Sequence, residues 1–166
     1  MAAQVAETTR RAGAQDLDEA QIRKLVTDVI EAWNEHDARA YSRLYADDAD
    51  LTTVIGTTAH GREAIHAHIA EVFKTLFKKS HITAKTIWVR FLNPEIAVVD
   101  IRWQMIGALD WDGNILPTRQ GLLNWIVTRQ QDGGWLVTVM HNQELTPLRE
   151  KKIPAVRRLR VPGGQD

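Results

Sequence analysis

Between residues 22 and 33 the apolar positions are Ile22, Leu25, Val26, Val29, Ile30 and Trp33, the three-and-four spacing of one helix face. Asp18, with Gln21 three residues on, predicts the start of that helix through reciprocal capping. Asp37 predicts the cap of a second, short helix carrying Tyr41, Leu44 and Tyr45. LTTVIG is rich in β-formers and stops at Gly56, so a short strand is expected there. After Gly61 a third helix gathers Ile65, Ile69, Val72, Phe73 and Leu76 on one face. From His81 the pattern changes to β-branched and aromatic runs: ITAKTIWVRFL, IAVVDIRWQMIGAL, TRQGLLNWIVTRQ and WLVTVMHNQEL. They are separated by NPE, DWDGN and QDGG, which are turn signals.

Helices first and a meander last predict an α+β domain: a curved antiparallel sheet, mixed through one short early strand, wrapped around N-terminal helices. The folded domain is expected over residues 18–145. Residues 1–17 are small, polar and aperiodic and are expected to be disordered. Residues 146–166 hold three prolines and a basic set, Arg149, Lys151, Lys152, Arg157, Arg158 and Arg160, against only Glu150 and Asp166. This tail reads as a solvated terminus, or as a contact for an anionic partner.

Composition narrows the function by exclusion. Lys+Arg and Asp+Glu are both 21, so no global field favours nucleic acid or an anionic membrane. The absence of cysteine removes disulfides, thiolate nucleophiles and thiolate metal ligands. No apolar run approaches the roughly 20 residues of a membrane span, and no signal-peptide core is present, so a cytoplasmic location is the default expectation. No HExxH, EF-hand or two-histidine-one-carboxylate spacing occurs, and no dinucleotide, phosphate-loop or GxSxG signature either. Neither a metal nor a cofactor is therefore expected. His66 and His68 lie two apart on a helix, about 200° around it, and do not chelate one ion together.

At AWNEHDARAYSRLYADDADL, HGREAI at 60–65, the late DGGW and HN at 141–142, the chain resembles the SnoaL-like branch of the nuclear transport factor 2-like superfamily, and within it the SgcJ/EcaC-type subgroup. The resemblance spans about residues 18–145. It implies a cone-shaped α+β barrel, a homodimer formed through the outer sheet face, and a pocket between the helices and the concave sheet. It also implies an association with bacterial natural-product pathways, including enediyne polyketides. The fold alone does not fix the chemistry.

Ketosteroid isomerases of this fold need a carboxylate base on the first strand and a tyrosine on the first helix. Matched through LYADDA, those positions are Thr53 and Val29, which argues against that route. Tyr45 matches a tyrosine that supports the pocket network in some isomerases. Epoxide-hydrolase-like members use an Arg and an Asp two apart on one strand, hence on one face, with an Asp on the last strand. Here Asp100 and Arg102 form such a pair in reversed order, and His141 stands at the last-strand position. On a concave face these three would activate water or move a proton, with Gln104 and Asn124 extending the cluster. On an outer face, Asp100 and Arg102 would be a surface ion pair or part of a dimer contact. Trp33, one turn beyond Val29, and Trp88 are expected aromatic walls for a hydrophobic ligand.

The expected function is a cofactor-free pocket protein for a small hydrophobic natural-product intermediate. If it is catalytic, the chemistry is hydration, elimination, isomerisation or cyclisation, with His141, Asp100 and Arg102 as its groups. The expected ligand contacts are Trp33, Tyr45, Thr53, Trp88, Gln104 and Asn124. The rivals are a non-catalytic binding protein using the same pocket and a protein-interaction module using the sheet surface.

Overall fold

A computed structural model describes residues 1–145, except for the side chains of residues 2–12. The basic tail at 146–166 lies outside the described residues. Helix α1 (Ala2–Asn34) buries Ile22, Leu25, Val26 and Val29, the face its periodicity predicts. It also extends back to Ala2, through a segment expected to lack structure. That segment holds five alanines with Gln, Glu and Arg, good helix formers, alongside the weaker Val5, Thr8, Thr9, Gly13 and Asp16. Asp18 therefore does not cap a helix start. Its carboxylate pairs with Arg129 and accepts from Trp135 Nε1, tying α1 to the far end of the sheet.

Helix α2 (Ala38–Arg43) is capped as expected, with Asp37 Oδ1 accepting from Ala40 N at 2.8 Å. Leu44 and Tyr45 leave the helix. Tyr45 opens strand β1 (Tyr45–Thr52), six residues earlier than LTTVIG suggests. The reason is tertiary: β1 lies parallel to a distant strand, and Val137 N donates to Leu44 O at 3.0 Å. That pairing imposes extended backbone on YADDADLT, whose aspartates are poor β-formers. A turn at Thr53–Gly56 then returns the chain as β2 (Thr58–His60), where no strand was expected. Helix α3 (Arg62–Lys74) follows and buries Ile65, Ile69 and Phe73.

The four late strands appear where the alternation places them: β3 (His81–Asn93), β4 (Ile96–Ile106), β5 (Arg119–Arg129) and β6 (Trp135–Glu144). The sheet order is β2-β1-β6-β5-β4-β3, with β1–β6 parallel and the other neighbours antiparallel. Register shifts in β3 and β6 are bulges, the local device that bends a sheet. The sheet curves without closing into the barrel implied by resemblance, and β2 and β3 remain its edges. Helix α1 blunts the β3 edge. Asn34 accepts from Ile82 N at 2.8 Å and donates to Ile82 O at 3.0 Å, and Arg23 donates to Ile87 O at 3.2 Å. These bonds occupy backbone groups that would otherwise template another strand.

On β4 the residues Ala97, Val99, Ile101, Trp103 and Met105 all turn inward against the helices. Leu123, Trp125 and Val127 of β5 lie on the same concave side. Gly121 leaves room there for Trp103, because a β-carbon at 121 would lie 2.1 Å from that indole.

Candidate functional site

The concave face, α1 and α3 do not meet everywhere. Between them lies an inner cavity of about 90 Å³, walled mainly by apolar side chains that include Val29, Ile69, Ile82, Met105 and Leu123. It continues into a vestibule of about 660 Å³ rimmed by the β1–β2 turn and the loop between β4 and β5. Thr53, Val54, His68, Val72, Phe77 and Arg119 line both spaces and form the neck between them. Ile55 and the exposed Trp111 stand on the vestibule rim.

Of the expected ligand contacts, Trp33 and Thr53 line this cavity. Trp33 is held edge-on by Tyr41, Phe73 and Phe77. Its Nε1 donates to Ser80 Oγ at 3.0 Å, and Ser80 in turn donates to Phe77 O at 2.9 Å. Thr53 and Val29, the positions matched to the isomerase base and tyrosine, are both on the wall, and neither side chain titrates. Tyr45 sits one layer back. Its hydroxyl is 2.7 Å from that of Tyr41, which does line the cavity. Burial pushes the Tyr41 phenol up to about 12 and that of Tyr45 well above its ordinary value, so both stay protonated.

The remaining expected residues stand together, but on the other side of the sheet. Trp88, Asp100, Asn124 and His141 are direct cross-strand partners in one row over β3, β4, β5 and β6. Asn124 Nδ2 donates to Asp100 Oδ1 within that row. Arg102 and Gln104 continue along β4 on the same convex face. The expectation that His141, Asp100 and Arg102 border the pocket is therefore corrected, and with it the assignment of Trp88, Gln104 and Asn124 as ligand contacts. Alternation allowed only one set inside, and the interior took Trp103 and Trp125, the neighbours with far more apolar area to bury.

Three cavity residues went unrecognised. His68 is the first, and the helical spacing did mark it: Ile65, His68, Ile69 and Val72 fall at i, i+3, i+4 and i+7. Desolvation lowers its pKa below the ordinary imidazole value, so it is neutral near pH 7. Arg119 is the second, at the start of β5. Its guanidinium makes two 2.7 Å bonds to Glu144 and lies over the Phe77 ring, 5.7 Å from the centroid. The Arg119 bonds hold the Glu144 carboxyl below its usual range. Asn142 is the third, turned inward because its neighbour His141 is turned outward. Its Oδ1 accepts from Trp103 Nε1 at 2.9 Å.

Among the described residues no three His, Asp or Glu side chains converge as metal ligands, and no helix is long and apolar enough to cross a membrane.

The SnoaL-like domain family model matches residues 26–135. No curated protein matches the chain. Many solved structures do. A protein with a cystatin-like fold from Caulobacter vibrioides superposes with a TM-score of 0.73 at 22% identity, covering 78% of this chain and 91% of its own. A nuclear transport factor 2-like protein with a cystatin-like fold from Novosphingobium aromaticivorans gives 0.69 at 22% identity, with 88% and 91% covered. A ketosteroid isomerase-like protein from Erwinia carotovora atroseptica gives 0.64 at 18% identity, with 77% and 96% covered. At these identities the likeness is one of fold.

Proposed function

The chain belongs to the SnoaL-like domain family, and on that footing we propose that it binds a small, largely apolar metabolite in the helix–sheet cavity and moves a proton on it through His68. The observation that carries this reading is the position of His68 at the neck of a mainly apolar cavity. Among the lining side chains it alone accepts a proton near neutral pH, since burial keeps its imidazole uncharged. Arg119 stands at the same neck, where a fixed cation stabilises negative charge that develops on a ligand oxygen. A base beside a cation suits proton abstraction next to a carbonyl, the first step of isomerisation, elimination or cyclisation. A hydrophobic natural-product intermediate of polyketide type fits such a wall. The name of the Erwinia neighbour points to the same class of reaction.

A second reading, binding without turnover, is favoured by one observation. The wall position matched to the isomerase carboxylate is Thr53, so no strong fixed base faces the cavity from β1.

One experiment separates the two. 2-Tetralone is incubated with the protein in D₂O, and deuterium uptake at its α-carbons is followed by NMR, alongside binding by tryptophan quenching. In the proposed step the α-C–H proton passes to the free imidazole nitrogen, and its electron pair becomes the enolate. The wild type accelerates exchange, and His68→Gln loses about 100-fold of that rate while binding is retained. The wild-type rate falls as acid protonates His68, and because burial lowers its pKa the fall lies below the ordinary imidazole range. A wild type that binds without accelerating exchange leaves the binding reading, and accelerated exchange unchanged by His68→Gln overturns the role of His68. No binding at all removes both.

A further inference from the structure

The hydrogen bonds around the cavity are lopsided, and the imbalance describes the ligand. An indole N–H only donates, so the 2.9 Å bond from Trp103 Nε1 fixes which end of the Asn142 amide is the oxygen. The opposite end is Nδ2, with two N–H groups and no acceptor among the described residues. Asn142 lines the inner cavity.

Arg119 repeats the pattern. Its Nε and Nη2 are taken by the Glu144 carboxylate, one bond to each oxygen. Nη1 keeps its two N–H groups without an acceptor among the described residues. Thr53 Oγ1 accepts from Thr57 N at 3.2 Å, which leaves its own O–H to give. In the Tyr41–Tyr45 pair one phenol donates to the other, so one of two O–H groups is left over, and Tyr41 is the member on the wall.

The acceptors run the other way. Both Glu144 oxygens are used by Arg119, Asn142 Oδ1 by Trp103, and Ser80 Oγ by Trp33. Around the inner cavity the nitrogen or oxygen acceptor with no protein partner among the described residues is the His68 imidazole; the oxygens of Asn142, Thr53 and Tyr41 keep a lone pair each but are already hydrogen-bonded. A ligand that displaces water from these donors without supplying an acceptor leaves them unmet, which costs more than a met bond contributes, so such a site selects ligands that supply acceptors.

The geometry points to a ligand whose apolar body carries an acceptor-only oxygen, a ketone, ester or carboxylate, received by Asn142 Nδ2 and Arg119 Nη1. Trp103 acts through Asn142 as a positioning residue: its indole holds the amide with the donors facing inward, and Gly121 makes room for that indole. This inference rests on the small-molecule reading of the cavity and names the chemical class it takes.

The test uses three probes of nearly one shape: acetophenone, α-methylstyrene (oxygen replaced by CH₂) and 1-phenylethylammonium. Dissociation constants are measured by NMR titration for the wild type and for Asn142→Asp. That substitution keeps an acceptor oxygen for Trp103 and replaces the inward amide by a second oxygen. The acetophenone-to-styrene affinity ratio falls about tenfold in Asn142→Asp, and the ammonium probe gains. In ¹⁵N-labelled wild type, acetophenone shifts the Asn142 side-chain amide signals and α-methylstyrene does not, a readout that does not depend on the variant folding. An unchanged ratio, or amide signals that fail to distinguish the two probes, overturns the inference while leaving the cavity reading intact. Failure of all three probes to bind overturns the cavity reading itself.

Discussion

At the scale of single residues, the inward turn of Trp103 organises the site. Its indole fills the space over Gly121 and orients Asn142. A β-carbon at 121 would meet Trp103 Cζ2 at 2.1 Å and Gln143 O at 2.4 Å, and the second contact is with backbone, which does not swing away. Gly121→Ala is therefore expected to destabilise the fold by about 3 kcal/mol through overpacking. Urea unfolding measures it, and a loss below about 1 kcal/mol would show that the indole relocates without strain. His68 shows how much of the site was legible. Its place on the apolar stripe of α3 is written in the sequence, but a histidine on such a stripe is usually core, and only the cavity beside it distinguishes the two. Arg119 carried no comparable signal, since its direction depends on the register of the β4–β5 and β5–β6 pairings.

At the scale of elements, helices and strands from Asp18 onward followed their periods, and the errors there lie where one element borrows its conformation from another. β1 is the clearest case. YADDADLT looks like the end of a helix and a polar loop, yet it pairs in parallel with β6, more than eighty residues away in sequence. The clip between α1 and the β3 edge is a second such dependence. Asn34 presents its amide to Ile82 as another strand would present a peptide group. Asn34→Ala leaves the Ile82 N–H and C=O without that partner, at a cost of about 1–3 kcal/mol. Hydrogen exchange at the Ile82 amide is expected to quicken well beyond that of Val99 in the sheet centre. Equal acceleration at both amides would mean that the clip acts on global stability alone.

For the whole molecule, the open sheet divides the chemistry between two faces. The concave face holds the cavity. The convex face holds the row Trp88, Asp100, Asn124 and His141, with Trp88 55% exposed near the middle of β3. We propose that a second copy of the chain covers this face, an arrangement to which its mixed apolar and polar row and the zero formal net charge offer no repulsion. Trp88→Glu is then expected to halve the mass seen by sedimentation without changing ligand binding, and an unchanged mass refutes this placement of the interface. The sequence by itself determined the element types, the α+β class and the apolar stripes, because these follow from local periodicity and turn chemistry. It also determined that Asp100 and Arg102 share one face, because alternation along a strand is local as well. Which face that is, and that His68, Arg119 and Asn142 meet around one cavity, was decided only by the tertiary structure. Packing chose the larger apolar set, Trp103 and Trp125, for the interior, and long-range strand pairing set the rest.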